Sequence, residues 1–568
     1  MPSRRRAAAV QAYLPAASQS SSFVGSSWSR TLSQQIHTAG RVAAGVPMRA
    51  PVRMCGIIGI FKQEGPVNVE LYEGLLMLQH RGQDSAGMVT TDWAKFREFK
   101  DNGLVKDVFA KKSVMDKLQG QVGIGHVRYP TAGSASAQEA QPFFVNSPLG
   151  IYLIHNGNLT NTDELRDMLN SSSSFFNRHL KTDSDSEVLL NIFADEIHRA
   201  HQRFVQSEAQ TDPNEHKMDF VLEAGETMMK TLQGAYSCIC LVKGVGLVAF
   251  RDPHGIRPLS LGRRQSLDGK GTEWAIASED CAFGPIAFER VRDVQPGEMV
   301  IITEDGQLVT RQCVPGQLNP CIFEYIYLSR PDSVLNDVNV YNFQLGLGTR
   351  LAGKIKERNW DIDVVVPVPD GSRPAAIQVS AEMGLPYREG LVKNRYVGRT
   401  FIMPDQRMRE MSVRRKLNAM PAVFEGRNVL LIDDSIVRGT TMAQIVDMVR
   451  KAGARKVYLA SSAPPVRFPN VYGVDMPNRK EFVAHGLTEE EICNVLRADG
   501  LVYQDVEDLL AVGYSMNPNI KTWDAACFDG HYVTGDIDDE YLLELESSGR
   551  GKSRTRAGRK TSLVSATV

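Results

Sequence analysis

No stretch of this chain is apolar and unbroken for long enough to span a bilayer, so no membrane partner is expected. Cysteine is sparse: eight in 568 residues, at 55, 238, 240, 281, 313, 321, 493 and 527. That is too thin for a disulfide scaffold, and reduced thiols of an intracellular protein are the expectation. Neither charge is in surplus: the net charge is −1, which excludes a general, strongly basic nucleic-acid binder. Acid is missing altogether from residues 1–53, which carry Arg4, Arg5, Arg6, Arg30, Arg41, Arg49 and Arg53 among many Ser, Ala and Gln. Such a composition suits an organellar transit peptide, a disordered tail or an untranslated leader. The expected location is cytoplasmic, or plastid or mitochondrial if the extension is a real transit peptide.

What is present is ordinary for folded protein, 42% hydrophobic and 23% charged, over a length that favours several domains. The most informative stretch runs from Val429 to Thr441. Val429 to Ile432 is a short apolar run that suits a buried parallel strand. Asp433 and Asp434 close it, and a small-residue turn, Ser435 to Thr441, follows. Met442, Ile445, Val446 and Val449 then repeat at helical spacing up to Gly453. Backbone N–H groups and the hydroxyls of Ser435, Thr440 and Thr441 therefore converge at a helix N-terminus, a site for a phosphate monoester. The two acids sit where a sugar's hydroxyls would lie.

These thirteen residues closely resemble the substrate-binding motif of the type I phosphoribosyltransferases. The resemblance implies that Asp433 and Asp434 hold ribose hydroxyls, with or without Mg²⁺, and that Ser435, Gly439, Thr440 and Thr441 cradle the 5-phosphate. Flanking segments read as alternating strands and helices: Ile362 to Val366, Ser372 to Met383, Met442 to Ala452, Val457 to Ala460. In relatives the loop Pro367 to Arg373 receives pyrophosphate and helps hold Mg²⁺. Here Gly371 aligns with the hydroxyl residue usual after the acid, and Ser372 follows as the metal contact in its place. Lys393 to Lys416 is densely basic and reads as a lid that orders over a polyanion and excludes water. Its match to one subfamily's catalytic loop marks Lys393 and Arg399 as substrate-binding.

Nearer the start, Met54 to Phe61 forms an apolar strand with Cys55 at its head. Four motifs follow it: Gln79 to Gly87, Gly125 to Thr131, Ile154 to Asn158, and Thr182 to Glu187. In this order they resemble the glutamine-hydrolysing domain of the N-terminal-nucleophile amidotransferases. A thiolate is the nucleophilic form of cysteine, and a free α-amine of pKa about 7.7–8 can accept its proton. Peptide linkage removes that basicity, so Cys55 acts only once everything through Met54 is gone. By resemblance, the Asn156 amide and the Gly157 N–H form an oxyanion hole. Arg128 takes the glutamine α-carboxylate and Asp185 the α-ammonium. His126 and His155 are assigned structural roles.

Together the resemblances imply an α+β N-terminal-nucleophile domain, an αββα sandwich, followed by an α/β type I phosphoribosyltransferase domain. The expected boundaries are a removed or untranslated extension over 1–54, the glutamine domain over 55–290 and a linking segment over 291–319. The transferase domain spans 320–535 and a disordered tail 536–568. The implied reaction cuts ammonia from glutamine and delivers it to C1 of phosphoribosyl pyrophosphate, giving 5-phosphoribosylamine, glutamate and pyrophosphate. That is the committed step of purine synthesis, and the family carries homo-oligomers, Mg²⁺ and feedback inhibition by purine nucleotides. Some relatives hold a [4Fe–4S] cluster on four cysteines. Only Cys321 and Cys527 match, with Asn470 and Asp524 at the other two places, so no iron–sulfur cluster is expected. Amidotransferases making glucosamine phosphate or asparagine would lack Val429 to Thr441. A nucleobase-salvage transferase would have no use for Cys55, and a nucleotide-sensing regulator would not need Cys55, Arg128, Asn156 and the Lys393 loop intact. Terminal sequencing of the protein purified from its own cells is expected to begin at Cys55; an upstream terminus in fully glutamine-active material would overturn the nucleophile.

Overall fold

The computed structural model describes residues 54–129, 137–170, 178–207, 212–394 and 417–548. The extension 1–53, the basic stretch 395–416 with Arg399 and its lid reading, and the chain beyond 548 lie outside the described residues.

Gly56–Phe61 is buried along its whole length, as its unbroken apolar run requires. It pairs antiparallel with Val122–Arg128 on one side and Thr272–Ala277 on the other, at the centre of a seven-stranded sheet. A second, six-stranded sheet is built on Ile151–Leu159 and Gly234–Val242. Ile57, Phe61 and Ile124 of the first sheet share one core with Ile154, Ile239 and Leu241 of the second, so the sheets pack face to face. The outer face of the first is covered by the helix Asn68–Met77, through Leu71 and Leu75. The helices Asp185–Gln206 and Lys217–Thr231 cover the outer face of the second. This is the expected four-layer αββα sandwich.

Its boundary differs from the expected residue 290. Glu289–Asp293 is an edge strand of the first sheet, while Glu298–Thr303 and Leu308–Gln312 extend the second. Pro296 and Gly297, inside the expected linking segment, make the turn between sheets, with Gly297 at φ +73°. The run Met299 to Ile302 is fully buried, which a linking segment would not be.

The second half carries a four-stranded parallel sheet in the order Val364–Pro367, Asn428–Asp433, Lys456–Ser461, Gly500–Tyr503. The helices Val340–Glu357 and Arg373–Met383 pack on one face and Thr440–Lys451 and Glu489–Leu496 on the other. The three expected strands and two expected helices fall within two residues of their expected places, and Val340–Glu357, Glu489–Leu496 and Gly500–Tyr503 complete the unit. The tail expectation is corrected: Asp539–Ser548 is helical, with Tyr541 and Leu542 buried and Arg479 paired to Glu546. Tyr541 and Leu542, with Leu545 packed beside them, anchor it to the core. Among the described residues, no helix is long and apolar enough to cross a membrane.

The two halves share a third core. Met54, Ala235 and Ile256 pack with Phe323, Phe343, Tyr472, Trp523 and Cys527, and Met54 is 1% exposed with its sulfur against the Arg257 guanidinium. Beside it lies a buried charge network. Arg81 pairs with Glu279 of its own half and with Glu324, 2.7 Å away, from the second. Arg257 approaches Glu324 at 3.6 Å. Burial works against the Arg81 charge, but Glu324 and Glu279 outweigh it and raise its pKa. Removing one member strands the others in a dry interior. Arg81→Met is expected to lower stability by about 3–5 kcal/mol in chemical denaturation, whereas Arg203→Ala, which breaks the exposed pair with Glu223, should leave the midpoint nearly unchanged.

Candidate active sites at two strand ends

Cys55 heads the central strand, 7% exposed, its thiol donating to the Tyr129 carbonyl at 3.6 Å. Its own carbonyl accepts from Arg81 Nε at 3.0 Å. Burial pushes the thiol pKa up, and the Tyr129 hydrogen bond and the Arg128 charge pull the other way. The nearby charges of Arg128 and Asp185 both act on it, so the structure brings these three predicted residues together. Arg128 is already ion-paired with buried Glu139, which the sequence did not single out. Asp185 opens the helix Asp185–Gln206, where the helix dipole favours its charge, and accepts from Leu159 N at 3.1 Å.

Asn156 and Gly157 lie on Ile151–Leu159, in the sheet facing the Cys55 strand. The Asn156 amide donates to Ser278 Oγ at 3.4 Å, and the same oxygen accepts from Ile57 N at 3.1 Å. One hydroxyl thus ties the amide to the strand that Cys55 heads. Ser278 is placed there by following directly after Thr272–Ala277, the strand paired with Gly56–Phe61. Gly157 has φ +149°, and a β-carbon would lie 2.0 Å from the Ala235 carbonyl, so only glycine fits. Burial keeps His126 neutral, its pKa pushed down to about 3, and lowers His155 as well. Both rings therefore favour the neutral imidazole over the cation.

At the second centre, Asn428–Asp433 delivers the acid pair to the end of the parallel sheet. Burial and the adjacent Asp434 raise Asp433 well above the carboxylate range, and burial pushes Asp434 up to about 7. Two adjoining acids so destabilised favour a cation or hydroxyl donors beside them. Ser435 Oγ donates to Asp434 Oδ1 at 3.1 Å. Gly439 caps the helix Thr440–Lys451 at φ +71°, which places Thr440 and Thr441 in its first turn, two residues earlier than the apolar pattern marked it. Ser372 is fully buried, its hydroxyl donating to the Val368 carbonyl at 2.6 Å. Gly371 lies against the pair instead: a β-carbon there would sit 2.2 Å from Asp434 Oδ2. The departure from the usual hydroxyl residue therefore has a steric counterpart. Lys393 ends the strand Leu391–Lys393, its ammonium 2.7 Å from Asp370.

The centres are linked across the halves. The Tyr129 hydroxyl donates to Asp475 Oδ2 at 3.2 Å, and Arg438, in the turn Ser435 to Thr441, donates to the Asp475 carbonyl at 3.4 Å. Gly473 packs against Gly157, with room for no side chain: a β-carbon would be 2.8 Å from the Gly157 carbonyl.

The glutamine amidotransferase domain family matches residues 126–284, and the phosphoribosyl transferase domain family matches residues 344–467. The amidophosphoribosyltransferase of Escherichia coli (strain K12) is 52% identical over 499 residues, covering 87% of this chain and 95% of that protein. That of Saccharomyces cerevisiae is 45% identical over 502 residues, with coverages of 87% and 95%. Among solved structures, the glutamine phosphoribosylpyrophosphate amidotransferase from B. subtilis, complexed with ADP and GMP, is 38% identical with a TM-score of 0.72. It spans 85% of this chain and 98% of its own. With both domains in this order and half of the residues shared along nearly the full length of a relative, the chain belongs to the amidophosphoribosyltransferase family.

Proposed function

We propose that the glutamine-dependent first step of purine biosynthesis runs here through two centres joined at Asp475. In the glutamine centre, Cys55 attacks the side-chain amide once its α-amine is free to take the thiol proton. The Asn156 amide and the Gly157 N–H receive the developing oxyanion, such donors commonly contributing about 3 kcal/mol each. Arg128, held by Glu139, takes the α-carboxylate, and Asp185 takes the α-ammonium.

In the transferase centre, Asp433 and Asp434 bind the ribose hydroxyls and stabilise the positive charge that develops on the ring as pyrophosphate leaves. Ser435, Gly439, Thr440 and Thr441 hold the 5-phosphate. The acid pair fits Mg²⁺, a hard cation that takes one or two carboxylates together with substrate phosphates. When bound, the ion would neutralise charge on the leaving group. Ser372, satisfied within its own turn, is left out of that donor set. An iron–sulfur cluster does not fit the donors present. Cys321 and Cys527 are two thiols where four are needed, Asp524 takes a third place, and Asn470 Oδ1 is used by Tyr472 N at 2.9 Å and Val474 N at 3.1 Å. A homo-oligomer inhibited by purine nucleotides and acting in the cytoplasm completes the proposal.

The observation that carries this reading is the Tyr129–Asp475–Arg438 connection, which sets the thiol's carbonyl acceptor and the phosphate turn on one residue. Cys55→Ala is expected to abolish glutamine use and to leave synthesis from high ammonia intact; loss of both, with the fold retained, would sink the two-centre division. Asp434→Asn should cut product formation from either nitrogen source. Ser278→Ala should slow the glutamine-dependent turnover about tenfold through the loosened Asn156 amide, with the ammonia-dependent rate unchanged in the same assay.

A further inference from the structure

The buried Gln141 side chain joins two elements of the glutamine centre. Its Oε1 accepts from His155 N at 2.7 Å, and its Nε2 lies 3.5 Å from the His155 carbonyl, so one amide brackets one residue of the strand Ile151–Leu159. The same Nε2 donates to Ser186 Oγ at 3.1 Å. Ser186 Oγ lies 3.0 Å from His155 Nδ1 and donates to Asp185 Oδ1 at 3.3 Å. The other carboxylate oxygen, Asp185 Oδ2, accepts from Leu159 N, the last residue of that strand. Asn156 and Gly157 lie between the two attachment points. Ser186 has one hydroxyl proton and accepts from Gln141, so its bond to Asp185 holds while His155 donates from Nδ1. A neutral imidazole has one such N–H, and burial favours that form of His155.

We infer that Gln141 and Ser186 are positioning residues: they aim the Asp185 carboxylate at the glutamine α-ammonium and fix its place relative to the oxyanion donors Asn156 and Gly157. The inference rests on the reading of Asp185, Asn156 and Gly157 as glutamine contacts. Gln141, His155, Asp185 and Ser186 are all buried, so protein donors, not water, set the direction of the carboxylate. With a donor on each oxygen it is held before substrate arrives, and binding does not have to order it. Both donors lead back to one strand, Leu159 directly and Ser186 through His155 and Gln141. A glutamine seated by its ammonium therefore presents its side-chain amide to the oxyanion donors in one register. Glu139, two residues before Gln141, holds Arg128, so the short segment 139–141 braces the α-carboxylate contact as well. Gln141 and Ser186 themselves act through these neighbours and need not touch the substrate.

The test is a double-mutant cycle in the mature enzyme. Glutamate, which keeps both the α-ammonium and the α-carboxylate, is titrated as a protector of Cys55 against iodoacetamide, so binding is read without turnover. Ser186→Ala should raise the half-protecting concentration about tenfold, the loss of one hydrogen bond to a charged group. On an Asp185→Asn background the same substitution should shift it by less than about twofold, because no carboxylate is left to aim. Gln141→Leu should weaken protection and also lower the kcat of the glutamine-dependent reaction about tenfold, since His155 N loses its acceptor beside the oxyanion donors. Equal shifts from Ser186→Ala on both backgrounds would mean a packing role and overturn the inference, as would protection unchanged by Ser186→Ala in the wild type. Asp185→Asn separates the two levels. If it leaves protection by glutamate untouched, the reading of Asp185 has failed and the inference falls with it; if it weakens protection while Ser186→Ala is silent, only the inference fails.

Discussion

The buried Arg81 guanidinium is the contact on which the arrangement of both halves turns. It holds the Cys55 carbonyl, Glu279 and Glu324 at once, and Glu324 belongs to the segment that opens the second half. Glu279 in turn accepts from Arg330 N at 2.9 Å and Ser333 Oγ at 2.7 Å, which draws the connecting chain onto the sandwich. A charge this deep persists only where its partners are fixed, so the strand that Cys55 heads and the junction share one set of constraints. Movement of one half against the other would have to break this set or travel with it.

The same seam brings the two chemistries together. The segment 470–476 lies between them: Asn158 donates to the Val471 carbonyl at 2.9 Å, Gly473 presses on Gly157, and Asp475 meets both Tyr129 and Arg438. Cys55 and Asp434 are far apart in sequence and lie in different sheets. Cys55, at the head of one strand, reaches this segment through Tyr129, and the turn that follows Asp434 reaches it through Arg438. Ammonia is nucleophilic only when unprotonated, and a passage between them that excludes water would keep that form.

Much of this was legible in the sequence, for definite reasons. Val429 to Thr441 carries its own strand, turn and helix start, so local pattern alone located the acid pair. Gly56–Phe61 was visible because a strand buried on both faces leaves an unbroken apolar run. Contacts closed by tertiary structure were not legible. Ser278 gains its role from pairing two strands more than 200 residues apart, and Glu139 follows Arg128 by eleven residues with no periodic signal. The boundary near residue 290 was misplaced because Pro296-Gly297 has the same composition whether it turns a chain between sheets or between domains. The helix at 539–548 was missed because two buried side chains in an acidic stretch give little pattern.

Met54 gives the burial of the junction a further meaning. On the proposed chemistry, the residue whose departure would free the Cys55 amine is also a plug, its thioether wedged among Ala235, Ile256 and the aromatic rings of the second half. Losing the segment that ends at Met54 would then change the proton chemistry of the thiol and the packing between the halves in the same event.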